Sequence, residues 1–146
     1  MPYKSLTVTS ANAIYQEPVL QQSHLYKGFS SLNEDNPTAK LFDLDLIKQD
    51  ILNHFNTRKG TRVMNPNFGS RIWDLLMEPL TAETRDVLVA DIKAVCTADS
   101  RVVPTQMDLT EYSNGYILEL TLVLKATNES ASMKIKFNQE IGIATV

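Results

Sequence analysis

The strongest constraint on the fold is a change of hydrophobic period near Arg101. Upstream, Leu44, Ile47, Ile51 and Phe55 share one face while Lys48, Gln49 and Asp50 occupy another, as an amphipathic helix requires. Asp43 or Asp45 is placed to cap it. Thr81 suits the cap of a second helix over Ala82–Ala98, with Glu83 in its first turn and Leu88, Ile92 and Val95 or Cys96 facing inward. Between the two, Ile72, Trp73, Leu75 and Leu76 predict a short helix that ends before Pro79, with Trp73 as a core anchor. Beyond Arg101 the period is two. Val103, Thr105, Met107 and Leu109 alternate with polar partners, Tyr116 to Leu124 place every second residue on one side, and Met133, Ile135 and Phe137 oppose Ser132, Lys134 and Lys136. Turn residues at Ser113-Asn114-Gly115 and Thr127–Ser130 divide these runs into three antiparallel strands. The expected fold is α+β, two main helices and a short one packed on a small antiparallel sheet.

At 146 residues the chain suits one domain. The segment 1–40 is rich in Ser, Gln, Asn and Thr, with Tyr15, Leu25, Tyr26 and Phe29 scattered and no sustained period. It is expected to be an extended N-terminal arm that orders on a neighbour, preceding a single body over 41–146. A net charge of −3 and a pI near 5.3 offer no basic face for nucleic acid. The start Met1–Ser5 carries no signal-like apolar core and the later apolar run is broken by Glu119, so no membrane segment is expected. Cys96 is the single cysteine, which excludes an internal disulfide and suggests a buried thiol. His54 reads as a charge at a helix end, and with His24 far off in the arm a zinc site is not expected.

The least generic stretch is Thr57–Gly69. Gly60 can adopt a left-handed conformation that stops a helix, Pro66 restricts Asn65, and Gly69 permits a second reversal, leaving Arg62-Val63-Met64 short and extended between two turns. Arg58, Lys59 and Arg62 are concentrated here, as solvated loop charge or as a partner contact.

The run TRKGTRVMNPNFGSRIWDLLMEPLT, Thr57 to Thr81, resembles the small baseplate-wedge subunit of contractile phage tails, a family historically labelled tail lysozyme, with relatives in type VI secretion baseplates. The shared pattern is a helix, T-x-x-G-x-R, P-x-F-G, then a short amphipathic helix and a turn. A looser likeness extends to about Phe137. The resemblance implies a non-enzymatic structural subunit of the virion, made in the host cytoplasm and built into the tail baseplate. It would need no cofactor or metal, clamp a helical bundle of larger wedge subunits and template the first ring of the tail sheath protein; the central tail hub is a further candidate partner. Relatives use a Glu-Pro-Arg motif for clamping. Asp99, Ser100 and Arg101 correspond to it, with serine in place of proline. By its position alone, Arg101 reads as an exposed charge at a helix exit. The implied partner-binding set is Asp99, Arg101, Arg58 and Arg62, joined by Lys134 and Lys136, which would guard an open strand edge until a sheath strand arrives.

The lysozyme label implies an alternative, a peptidoglycan-degrading enzyme with two carboxyl groups across a cleft, one of raised pKa. Glu78, Glu83, Asp108, Glu111 and Glu119 are scattered through turns, a helix start and strands, and each has a structural reading. No phosphate-cradling Gly-rich loop, serine elbow or HExxH occurs.

Overall fold

The change of period at Arg101 separates a helical layer from a sheet. The computed structural model describes residues 24–30, 39–79, 81–140 and 142–145. Most of the expected arm, residues 1–23 and 31–38, lies outside the described residues. In chain order the elements are β1 (Lys27–Phe29), β2 (Lys40–Phe42), α1 (Asp43–Asn56), α2 (Ile72–Leu75), α3 (Ala82–Ala98), β3 (Val102–Tyr112), β4 (Gly115–Leu124), β5 (Ser130–Asn138) and β6 (Gly142–Thr145). The fold is α+β.

The sheets are larger than expected. β3-β4-β5-β6 form a four-stranded antiparallel sheet, and β1-β2 form a separate two-stranded one. The fourth strand arises because the chain folds back after Asn138, so that Gly142–Thr145 pairs with Ile135–Asn138. This corrects the expectation of an open β5 edge: half of that edge is covered, and only Ser130–Lys134 lacks a β6 partner.

The register of β3 departs from simple alternation. A bulge between Pro104 and Gln106 leaves Thr105 without a pairing partner, so Val102 faces the core before it and Met107 and Leu109 after it. Val103 is consequently turned outward and 45% exposed. One inserted residue reverses the facing of every side chain that follows it, and the strict period read from Val103 to Leu109 hides that step.

One apolar cluster joins the layers. Ile47, Ile51 and Phe55 of α1, with Leu88, Ile92 and Val95 of α3, pack with Leu118 to Leu124 of β4 and with Ile135 and Phe137 of β5. Phe55 and Phe137 are fully buried and meet edge to face, 5.5 Å between centroids at 72°. Burying each such side chain contributes roughly 1.5–3 kcal/mol, enough in sum to offset ordering of the chain. Trp73 is an anchor as expected, its indole N–H donating to the Phe55 carbonyl at 3.0 Å.

The α1 start differs from expectation. Thr81 caps α3 through its hydroxyl, but no side chain caps α1. Asp43, in a left-handed conformation (φ 43°), instead accepts from the Leu25 and Tyr26 amides, each at 2.9 Å, and meets His24 Nδ1 at 3.0 Å. The Tyr26 amide is the main cause holding its carboxyl below the usual range. The intended cap is spent on tying residues 24–26 to the helix.

The 57–70 loop closes on itself. Lys59 N donates to Ser70 O and Ser70 N to Thr57 O, which brings the Gly69 backbone against Thr57–Lys59. A Cβ on Gly69 (φ +109°) would lie 2.6 Å from Thr57 O, whereas one on Gly60 (φ +87°) would meet open space. Gly60 does not stop α1, which ends at Asn56 with an extended Thr57. Gly69→Ala is therefore expected to cost about 2–4 kcal/mol. Gly60→Ala should cost about 1–2 kcal/mol. Urea denaturation of both variants checks the ordering, and equal losses would remove the close-approach argument.

Candidate functional site

α1, the 57–70 loop and the exit of α3 surround an open groove of about 740 Å³. One wall is made by Asp50, Asp99 and Arg101, and the other by His54, Arg62 and Phe68. These side chains converge because α1 and α3 pack side by side and the loop leaves α1 at the same end.

Arg101 organises one wall. Its Nε donates to Asp99 Oδ1 at 2.9 Å, and its Nη2 reaches Asp99 Oδ2 and Asp50 Oδ2, both at 2.6 Å. Its backbone N–H adds a further 2.9 Å bond to Asp99 Oδ1. The guanidinium therefore holds the Asp99 carboxyl below its usual range, while the hydrogen bonds to Asp99 push the Arg101 pKa up. The Tyr26 ring lies 5.5 Å from the same guanidinium. Arg101 is thus an internal staple between the α3 exit and α1, about a quarter exposed, and differs from the free helix-exit charge its position alone suggests.

The opposite wall is a stack. Phe68 lies between the His54 ring (4.0 Å between centroids, 13°) and the Arg62 guanidinium (4.3 Å). Burial is the main cause lowering the His54 pKa and Arg62 adds to it, while Asp91 and the Gly69 carbonyl oppose the shift. The helix-end cation expected at His54 is replaced by a ring inclined to stay neutral. Arg62-Val63-Met64 is not extended either: Asn65 N donates to Arg62 O and Phe68 N to Asn65 O, giving two consecutive turns.

Of the residues singled out in the sequence, Asp99, Arg101 and Arg62 meet in this groove. Arg58 pairs with Asp74 at 3.5 Å on the loop's exterior. Lys134 lies on the outer sheet face, paired with Glu119 at 2.7 Å, and Lys136 lies over the Tyr112 ring at 4.9 Å. Sequence reasoning missed Asp50, read only as a polar-face residue of α1, and did not single out Asp91. Asp91 receives the Ser70 hydroxyl at 2.6 Å and the Arg71 amide at 2.9 Å, fastening the loop to α3. The buried Cys96 thiol is pushed up to about 12 by desolvation and is inert at neutral pH. Among the described residues no group of three or more His, Cys, Asp or Glu could hold a metal, and no helix is long and apolar enough to cross a membrane.

Residues 43–129, which contain both walls of this groove, match the family described as baseplate wedge protein gp25. The chain belongs to that family. Membership gives it a structural role in the phage tail baseplate. No curated protein matches it significantly. Among solved structures, it is similar in fold to a Geobacter sulfurreducens protein provisionally named a tail lysozyme, determined at 1.44 Å. The match has 18% identity and a TM-score of 0.53, over 64% of this chain and 92% of that one. At that identity the likeness is one of fold alone.

The wedge-family groove carries a pH dependence with a definite sign. The folded His54 pKa lies below its unfolded value of about 6.5, so the unfolded chain takes up the proton first and stability falls as pH drops below about 6.5. Asp99 and Asp43, both depressed, contribute stability above about pH 3.9 that is lost as pH falls through their folded values. Loss in acid is expected in two stages. His54→Asn should abolish the first, seen as a smaller difference in Tm between about pH 7.5 and 5.5 than in the wild type; an unchanged difference would exclude His54 as its source.

Proposed function

We propose that this chain is a non-enzymatic wedge subunit that clamps larger baseplate wedge proteins through its groove and templates the first ring of tail sheath. The observation that carries this reading is the meeting of Arg62, from the family's loop signature, with Asp99 and Arg101, the remnant of its clamping motif, in one groove. Arg101 is pre-oriented by two carboxylates, and its partly exposed fork offers a partner planar, directional donors at little further ordering cost. Arg62 extends the cationic rim of the groove, and Arg58, on the loop's exterior, is a further contact. In the part of the expected arm that the structure describes, Leu25 and Phe29, 57% and 67% exposed beside the β1-β2 pair, are the side chains that meet a neighbour. The protein is made in the host cytoplasm and ends in the virion baseplate, with wedge subunits and sheath as partners and the central hub as a further one.

The second reading, a cell-wall hydrolase, has one specific observation in its favour: Asp50 and Asp99 share one Arg101 nitrogen in an open groove. The charge state is against it. A general acid needs a raised pKa, and the guanidinium lowers that of Asp99. Purified protein is expected to leave peptidoglycan suspensions turbid. Clearing that disappears in Asp50→Asn or Asp99→Asn would establish the hydrolase instead.

Arg101 tests the clamp. Arg101→Ala leaves two carboxylates unpaired at a partly exposed site and is expected to cost about 1–2 kcal/mol of stability. Arg101→Lys keeps the charge but loses the fork, so it should remain near wild-type stability while binding larger wedge subunits about tenfold more weakly. Wild-type assembly by both variants would remove the contact.

Templating is assigned to the sheet's free backbone, on β6 and on the Ser130–Lys134 half of β5, where added strands need little side-chain identity. Lys134 discourages promiscuous pairing there, whereas Lys136 lies in the half that β6 covers. Deleting residues 142–146 should leave a folded body that still joins wedges but starts few sheaths; normal-length sheaths on the truncated protein would end the proposal.

A further inference from the structure

The 57–70 loop presents two aliphatic side chains to solvent from a rigid base. Val63 is 93% and Met64 95% exposed, more than any other large apolar side chain described. Isolated exposed apolar residues are common, but an adjacent pair at the tip of so heavily fastened a loop is not produced by floppiness. Gly60 N donates to Pro66 O at 3.0 Å across the base of the tip, and Asn65 N to Arg62 O within it. The Arg62–Phe68–His54 stack and the Ser70 and Arg71 bonds to Asp91 fix the flanks. A loop free to move could fold Val63 and Met64 inward; this one cannot.

Charge around the tip is segregated. Arg58, Lys59, Arg62 and Arg71 fall within Thr57–Trp73, which contains no carboxylate, in a chain whose net charge is −3. Asp74 meets Arg58, while Lys59 and Arg71 have no ion-pair partner among the described residues. An apolar tip in a cationic collar is complementary to an apolar socket edged by carboxylates. A lipid surface fits less well, because the loop's aromatic, Phe68, is committed to the stack and the tip offers no aromatic anchor for an interface.

We propose that this loop is a preformed docking knob, with Val63 and Met64 seated in an apolar socket of a partner protein and Lys59, Arg62 and Arg71 meeting carboxylates on its rim. The surface is distinct from the groove, although Arg62 borders both. Identifying the partner as a larger wedge subunit rests on the wedge reading above; the knob's chemistry does not. Its rigidity lowers the ordering cost of binding, so the apolar pair acts as an anchor and the cations speed encounter.

The test uses the full chain with a photo-cross-linking residue at position 63, co-expressed with the larger wedge subunits, and the double variant Val63→Ser/Met64→Ser. A cross-link to a wedge subunit is expected. The double variant should bind preassembled wedge subunits at least about tenfold more weakly with an unchanged Tm, because serine removes the anchor and leaves the loop backbone intact. Wild-type binding should also weaken when salt rises from about 50 to about 500 mM. Equal affinity of variant and wild type would overturn the knob while leaving the wedge reading standing. Failure of the wild type to bind any wedge subunit would overturn both. Cross-linking to a second copy, or sedimentation with anionic phosphatidylglycerol vesicles that the double variant loses, would overturn the proposed occupant in favour of self-association or lipid.

Discussion

The close approach of Gly69 to the Thr57–Lys59 backbone is the constraint on which the functional end of the molecule depends. That contact folds the chain back within fourteen residues of leaving α1, and so places α2 against α3, Phe68 beside His54 and the Val63–Met64 tip in solvent. A side chain at position 69 would push the two backbone strands apart. The polar bonds from Ser70 and Arg71 to Asp91 then transmit the loop's position to α3. Groove and tip are two consequences of one closure.

Charge is distributed with the same economy. The acidic character of the chain lies outside the loop, and the carboxylates near the groove are committed to internal donors: Asp99 and Asp50 to Arg101, and Asp91 to the loop. Arg101 has consequently two demands on it. As a staple it joins elements 51 residues apart in sequence, and as a partly exposed fork it remains available to a partner. An arginine serves both because five donors in one plane exceed what two carboxylates consume. At the exit of α3 the Asp99 carboxylate also accepts from the Arg101 amide, which fixes the turn through Ser100 by a hydrogen bond.

Residue pattern alone was sufficient for much of this. The helical spacing of Ile47, Ile51 and Phe55, the Thr81 cap and the alternation along β4 and β5 determined α+β, because hydrophobic period is a local property of the chain. The spaced Gly, Arg, Pro and Phe of the loop determined the family. The fourth strand was not legible, because β6 is four residues long and carries too few alternations to show a period. Nor was the reversal of facing at Thr105, since a bulge depends on what the partner strand offers.

What only tertiary structure decided was where the charges point. Asp43 and Asp45 both suited a helix cap, yet Asp43 binds the Leu25 and Tyr26 amides, because those unpaired donors lie against the start of α1 only once β1 is laid beside β2. His54 read as a helix-end cation but is stacked and desolvated by Phe68, fourteen positions on. Asp50 had no sequence signal linking it to Arg101. Period and turn chemistry act between near neighbours and survive in the sequence, whereas ion pairs, stacks and burial depend on distances that exist only after the chain has closed.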